Sequence, residues 1–161
     1  MPPVNTAKVN RRPLVFASTQ DILRDAESLV AAERDGRLER LGNWTLGQAL
    51  GHVATWIDYG FDGYPMKTPW FLKILGPLLK RSVLSGSLRA GMRIPGVAEG
   101  TYATEMLPTD EGLRRLRDAF ARLDAAAPAK PNPVFGRLTH EEWKKLHRSH
   151  AALHMSFFRA R

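Results

Sequence analysis

The 161-residue chain has no cysteine, which excludes disulfides, thiolate nucleophiles and cysteine-ligated zinc. Its length fits one domain, and 43% hydrophobic with 25% charged residues is ordinary for a globular protein. A formal charge of +8 and a pI of about 10.3 suit polyanions or an anionic membrane surface, and equally a set of solvated basic helix faces.

Residues 1–17 read as an irregular N-terminal arm, and residues 18–161 as a single domain. The Arg11-Arg12 pair is followed by an apolar stretch, Pro13 to Ala17, too short for the core of an export signal. No run of about 18 uncharged apolar residues is present to span a membrane. With the lack of cysteine, the expected location is cytoplasmic.

The first helix is expected from Thr19 to about Arg34. Ser18 caps it with Asp21 three residues on, and Gly36 ends it. Ile22, Leu23, Ala26, Leu29 and Val30 recur at helical spacing. The second helix is expected over 46–60. Thr45 and Gln48 have the spacing of a capping box, and Leu46, Ala49, Leu50, Val53 and Ile57 form the apolar stripe. A long connection follows over 64–108, with five prolines; its apolar piece from Trp70 to Leu84, broken at Gly76-Pro77, is expected to form one or two short helices, and Ser85 to Leu107 an irregular stretch. The third helix is expected over 110–126, capped by Thr109, with Leu113, Leu116, Phe120 and Leu123 facing the core. After a proline-rich loop, Thr139 and Glu142 repeat the capping-box spacing and open a fourth helix over 140–158. The expected fold class is all-α: a four-helix bundle with a long crossover between helices 2 and 3.

Of the five histidines, His147, His150 and His154 fall on one stripe of the last helix, beside Trp143, Leu146, Leu153 and Phe157. At about 100° per residue, His154 lies about 40° from His150, so both imidazoles can point at a single ion. His52 sits at the edge of the second helix's apolar stripe and supplies a third nitrogen if that helix neighbours the last one. Three neutral nitrogens with one open position is the ligand count of a catalytic zinc site. The H-x-x-x-H spacing alone also occurs by chance, and the residues by themselves leave metal site and satisfied core histidines both open.

The segment from Asn43-Trp44-Thr45 to Gly51-His52-Val53 resembles the second helix of the DinB-like metalloenzyme superfamily. Phe135-Gly136-Arg137-Leu138-Thr139, then Glu142-Trp143, His150 and His154, resembles its last helix. Leu75-Gly76-Pro77-Leu78 in the crossover and the Glu-Trp pair are closer still to a DinB-like subfamily of unassigned function. The resemblance covers nearly the whole chain after the first fifteen residues. It implies His52, His150 and His154 as ligands of one divalent metal (Zn, Ni or Fe(II)), and a homodimer. In one departure, the neighbours of the last histidine are Leu153 and Met155, where related sequences often place another histidine. His147, a turn earlier, is expected to support the site.

Relatives in the superfamily include thiol-dependent transferases and an isomerase that use a low-molecular-weight thiol, so the resemblance implies a thiol-dependent transferase. A metal-assisted hydrolase is the alternative chemistry. Asp58, Glu99 and Glu105 are candidate bases or hydrogen-bond acceptors, and Lys67, Lys73, Arg89 and Arg93 are candidate anchors for an acidic cofactor. A non-catalytic bundle acting through dimer or membrane-surface contacts is the other class of function. Trp70, Phe71, Leu72, Ile74, Leu75, Leu78 and Leu79 beside Lys73, Lys80 and Arg81 are its apolar and basic elements, with core packing or a dimer contact favoured over membrane. Nucleic acid is not expected: Arg114, Arg115, Arg117 and Arg122 crowd the third helix, but Asp118 and Asp124 break its basic face and no reader motif is present.

Overall fold

A computed structural model describes residues 3–65, 74–76, 78, 80–81, 84, 88–94 and 97–161. The chain is mostly helical. Its described helices are α1 (Thr19–Arg34), α2 (Leu46–Asp62), α3 (Thr109–Ala125) and α4 (His140–Met155). Residues 74–76, 78, 80–81 and 84 of the connection are helical as well, and there are two three-residue strands, β1 (Leu38–Arg40) and β2 (Phe158–Ala160). Most of the apolar piece from Trp70 to Leu84 lies outside the described residues, as do Lys67 and Lys73.

Local signals act as the residue types require at α1 and α4. Ser18 and Asp21 exchange both bonds of a capping box, and so do Thr139 and Glu142. Each satisfies amides that the first helical turn leaves without partners. At α2 only half of that device forms. The Thr45 hydroxyl accepts from the Gln48 amide, but the Gln48 side chain donates to the Thr104 carbonyl at 2.8 Å. At α3 the expected cap is displaced by one residue. Pro108 holds the cap position, Thr109 is already helical, and no side chain caps the turn.

The strands add a small two-stranded sheet to the helical fold, and the last helix is shorter than expected. α4 stops at Met155, and Phe158–Ala160 pairs antiparallel with Leu38–Arg40, Arg40 opposite Phe158. Backbone groups that a longer helix would have satisfied internally are satisfied across the ladder instead, extended by bonds from Leu41 N–H to the Phe157 carbonyl and from Arg161 N–H to the Arg37 carbonyl. Phe158 is buried, which draws the chain away from the helical path.

α2 is the central element. It is buried without a break from Leu46 to Ala54 and packs most extensively on α3 and next on α4. A helix covered all round lies inside a core. Ile22 and Leu29 of α1, Leu116, Phe120 and Leu123 of α3, and Trp143 and Met155 of α4 surround Leu50, Val53 and Ile57. The α2–α3 contact is close at glycines. A Cβ on Gly112 would lie 2.5 Å from the Gly47 carbonyl oxygen, and one on Gly47 only 2.3 Å from that of Leu107.

The irregular arm is fastened to the end of α4. The Arg12 guanidinium grips Asp25 at 2.9 and 2.7 Å and donates to the Met155 carbonyl at 3.2 Å. The Arg12 amide donates to the Ser156 carbonyl and the Arg11 guanidinium to the Ser156 hydroxyl. Among the described residues no helix is long and apolar enough to cross a membrane.

Candidate metal centre

Packing of α2 against α4 brings His52 to His150 and His154. One ring nitrogen from each lies within 4.8 Å of the other two, so the three are close enough to bind a metal ion. The Nε2 atoms of His52 and His150 are 3.2 Å apart. Tetrahedral zinc with bonds of about 2.0–2.1 Å would hold two nitrogens about 3.3 Å apart, so this donor pair needs almost no adjustment.

The His52 tautomer is set by its other nitrogen. Nδ1 lies 3.1 Å from the Tyr102 carbonyl and 3.2 Å from that of Ala103. Carbonyls only accept, so Nδ1 carries the proton and Nε2 offers a lone pair to the shared point. Ala103 has φ +59, the one positive φ at a non-glycine among the described residues, and so holds a left-handed conformation costing of order 1–3 kcal/mol. That twist turns two successive carbonyls toward one imidazole. Gln48, one turn before His52, ties down the same segment through Thr104.

Aromatic rings pack the triad. Trp44 stacks on His154 with centroids 5.1 Å apart and planes 4° from parallel, and Trp56 meets His150 edge-on at 6.1 Å. Burial pushes the imidazolium form out of all four core histidines. His52 is pushed down to about 4 and His147 to about 3, while His150 and His154 fall well below their ordinary value through burial and the neighbouring histidines. Neutral imidazoles at pH 7 are the form that ligates metal.

His150 and His154 keep some surface, and they line a cavity of about 680 Å³ together with His52. Its walls include Trp44, Trp56, Tyr64 and Phe135, and its charged lining among the described residues is Arg89, Arg93 and Glu99. Of the three candidate carboxylates, Glu99 alone reaches it. Asp58 pairs with Arg122 at 3.2 Å, and Glu105 with Arg115 at 3.4 Å. His147 also lines the cavity, but its ring stacks on Trp143 at 5.8 Å and neither nitrogen has a hydrogen-bond partner. It makes no bond to the triad. His140 stands apart and meets the Leu123 carbonyl at the end of α3. The crowded arginines of α3 are spent on carboxylates: Arg114 on Glu111 and Asp118, Arg117 on Glu27, Arg122 on Asp62.

The sequence reading missed Gln48 and the 102–104 carbonyls. Gln48 had a signal, as a polar residue one turn before His52 inside an apolar stripe. The carbonyls had none, since backbone groups carry no sequence identity.

Compared with known proteins, the chain matches no curated protein and no solved structure. Over residues 8–161 it matches the family described as "Protein of unknown function (DUF1569)", and the chain belongs to that family.

Proposed function

We propose that this chain is a DinB-like metalloprotein, a four-helix bundle with a long crossover between α2 and α3. In this reading it binds one divalent ion (zinc, nickel or iron(II)) on His52, His150 and His154 and catalyses transfer to or from a low-molecular-weight thiol. The observation that carries the reading is the convergence of three neutral imidazoles at the wall of a 680 Å³ cavity, with the His52 tautomer fixed from behind. A divalent ion there supplies the positive charge that keeps a thiol ionised near neutral pH.

The chain's own residues favour thiol chemistry over hydrolysis. Hydrolysis at such a centre gains from a positioned carboxylate base. No carboxylate touches the triad, Glu99 is the one carboxylate in the cavity lining, and the residues outside the described set contain neither Asp nor Glu. The aromatic walls exclude water and hold an apolar substrate, Trp44 keeps the His154 ring in its plane, and the 102–104 carbonyls hold the proton on His52 Nδ1. The chain acts as a homodimer in this reading, with exposed Ile74, Leu75 and Leu78 available for the contact.

The test is elemental analysis of protein purified without a metal-affinity tag, followed by cobalt(II) loading and titration with a small thiol. Wild type should take up about one ion and develop a thiolate-to-cobalt charge-transfer band. His52→Ala, His150→Ala and His154→Ala should each lose uptake. A wild type that takes up no supplied metal, or variants that all retain it, overturns the site. Metal uptake without a thiolate band overturns the thiol reading.

A further inference from the structure

The cavity beside the triad is lined by two different kinds of group. Toward α2 and α4 lie the histidines with the ring faces of Trp44 and Trp56. On the wall formed by residues 88–94 and 99–102 lie Arg89 and Arg93. Arg93 is held in place: one guanidinium nitrogen donates to the Ala98 carbonyl at 2.8 Å, and the group lies against buried Gly100. A Cβ at Gly100, whose φ is +82, would come within 3.2 Å of the guanidinium carbon, so this glycine makes the seat for the side chain. Neither arginine has a carboxylate within ion-pair distance among the described residues, although Glu99 shares the cavity lining. Most of the guanidinium donors at this wall therefore remain available. A planar fork of N–H donors matches a carboxylate in two-point contact.

Gly100 and Tyr102 are two residues apart, at most about 7 Å of chain, and the Tyr102 carbonyl touches His52, so the segment that seats Arg93 also backs the triad. A cavity of about 680 Å³ is of the size that encloses a small organic molecule.

We propose that this cavity binds a flat, apolar organic acid of arylalkenoate size, its carboxylate at Arg89 and Arg93 and its body between the aromatic walls. That the histidine triad is the reacting centre rests on the three-histidine reading above. A neutral ligand would leave the arginines without a role, and a cation would meet two like charges against one carboxylate.

The experiment uses chelator-treated full-length protein, so that a carboxylate cannot register by binding metal. Cinnamate and its neutral counterpart, cinnamyl alcohol, are titrated while tryptophan fluorescence is followed, with calorimetry as the second readout. Cinnamate should bind at least about tenfold more tightly than the alcohol, equivalent to about 1.4 kcal/mol. In Arg89→Gln/Arg93→Gln the preference should vanish while affinity for the alcohol stays unchanged. Both side chains are exposed, so the variant should keep the wild-type circular dichroism. Equal affinity for acid and alcohol, a preference that survives in the double variant, or no binding of either compound overturns the proposal. Metal uptake by the same preparation is measured separately. Acid binding without uptake sinks the metal reading alone, and uptake without acid preference sinks this one alone.

Discussion

Gly47 and Gly51 lie one turn apart on the face of α2 that meets residues 101–108, yet alanine should have different effects at the two. At Gly47 the new Cβ would sit 2.3 Å from the Leu107 carbonyl oxygen and 2.8 Å from the Pro108 carbonyl carbon. Both obstacles are backbone, so relief needs a shift of more than an ångström in a segment anchored by a proline. Overpacking of this kind costs about 1–3 kcal/mol. The helix-propensity gain of up to about 1 kcal/mol is only partly realised in the first turn. At Gly51 the near contact is one Leu107 methyl carbon at 2.4 Å, with the next atom at 3.6 Å. A changed Leu107 rotamer costs about 0.5–1.5 kcal/mol, and the mid-helix alanine returns about 1 kcal/mol. Urea denaturation should therefore place Gly47→Ala about 1–3 kcal/mol below wild type and Gly51→Ala within about 1 kcal/mol of it. Because the displaced segment carries the carbonyls behind His52, Gly47→Ala should also bind zinc more weakly in a chelator competition. Equal stability of Gly47→Ala and wild type, or greater damage from Gly51→Ala, would refute this account of the contact.

Acid should destabilise the metal-free protein through its buried histidines. His52 and His147 are depressed in the folded state to about 4 and about 3, so the unfolded chain binds more protons below its ordinary imidazole value of about 6.5. The stabilisation is complete above that value and is lost as pH falls from about 6.5 toward 4, at up to about 1.4 kcal/mol per pH unit per histidine. Urea midpoints that do not change between pH 7.5 and 5 would contradict it. Gln48→Leu keeps the volume but removes the bond to Thr104, and should lower zinc affinity by about 10- to 100-fold. Nitrogen-15 NMR should show His52 losing its single Nδ1–H tautomer, and wild-type affinity would show that the 102–104 segment needs no such tie. His147→Phe keeps the stack on Trp143 and removes two unpaired buried nitrogens, so thermal and urea unfolding should show equal or higher stability, by up to about 3 kcal/mol, with metal uptake retained. A loss of uptake would return His147 to the site. His140→Ala should leave uptake unchanged, because its ring serves the end of α3.

What could be read in advance divides by range. The caps at Ser18 and Thr139 and the apolar stripes of all four helices depend on neighbours three or four residues away, and they were visible. So was the His150–His154 pair, which one helical turn brings together. β1 and β2 were not, because three-residue strands show no useful period and their pairing joins Leu38 to Ala160 across nearly the whole chain. The Thr45–Gln48 box was half legible for the same reason: Thr45 acts locally, while Gln48 is taken by a carbonyl 56 residues away. The place of His52 beside the pair came from a resemblance, since nothing within α2 says which helix it will face. Ala103 carries no mark of its left-handed twist, which glycine or asparagine would have announced.

The fastening of the arm to the end of α4 bears on how the protein is made. Arg11 reaches Ser156 across 145 residues, and His52 meets His150 across 98. Contacts of such separation form late, after much of the chain's closure entropy has been paid. On the ribosome, a chain halted before residue 150 carries one of the three imidazoles and lacks the end of α4 to which Arg11 and Arg12 bond. The histidine cluster is thus completed only once α4 has been made and packed on α2, and any metal it captured would report that packing.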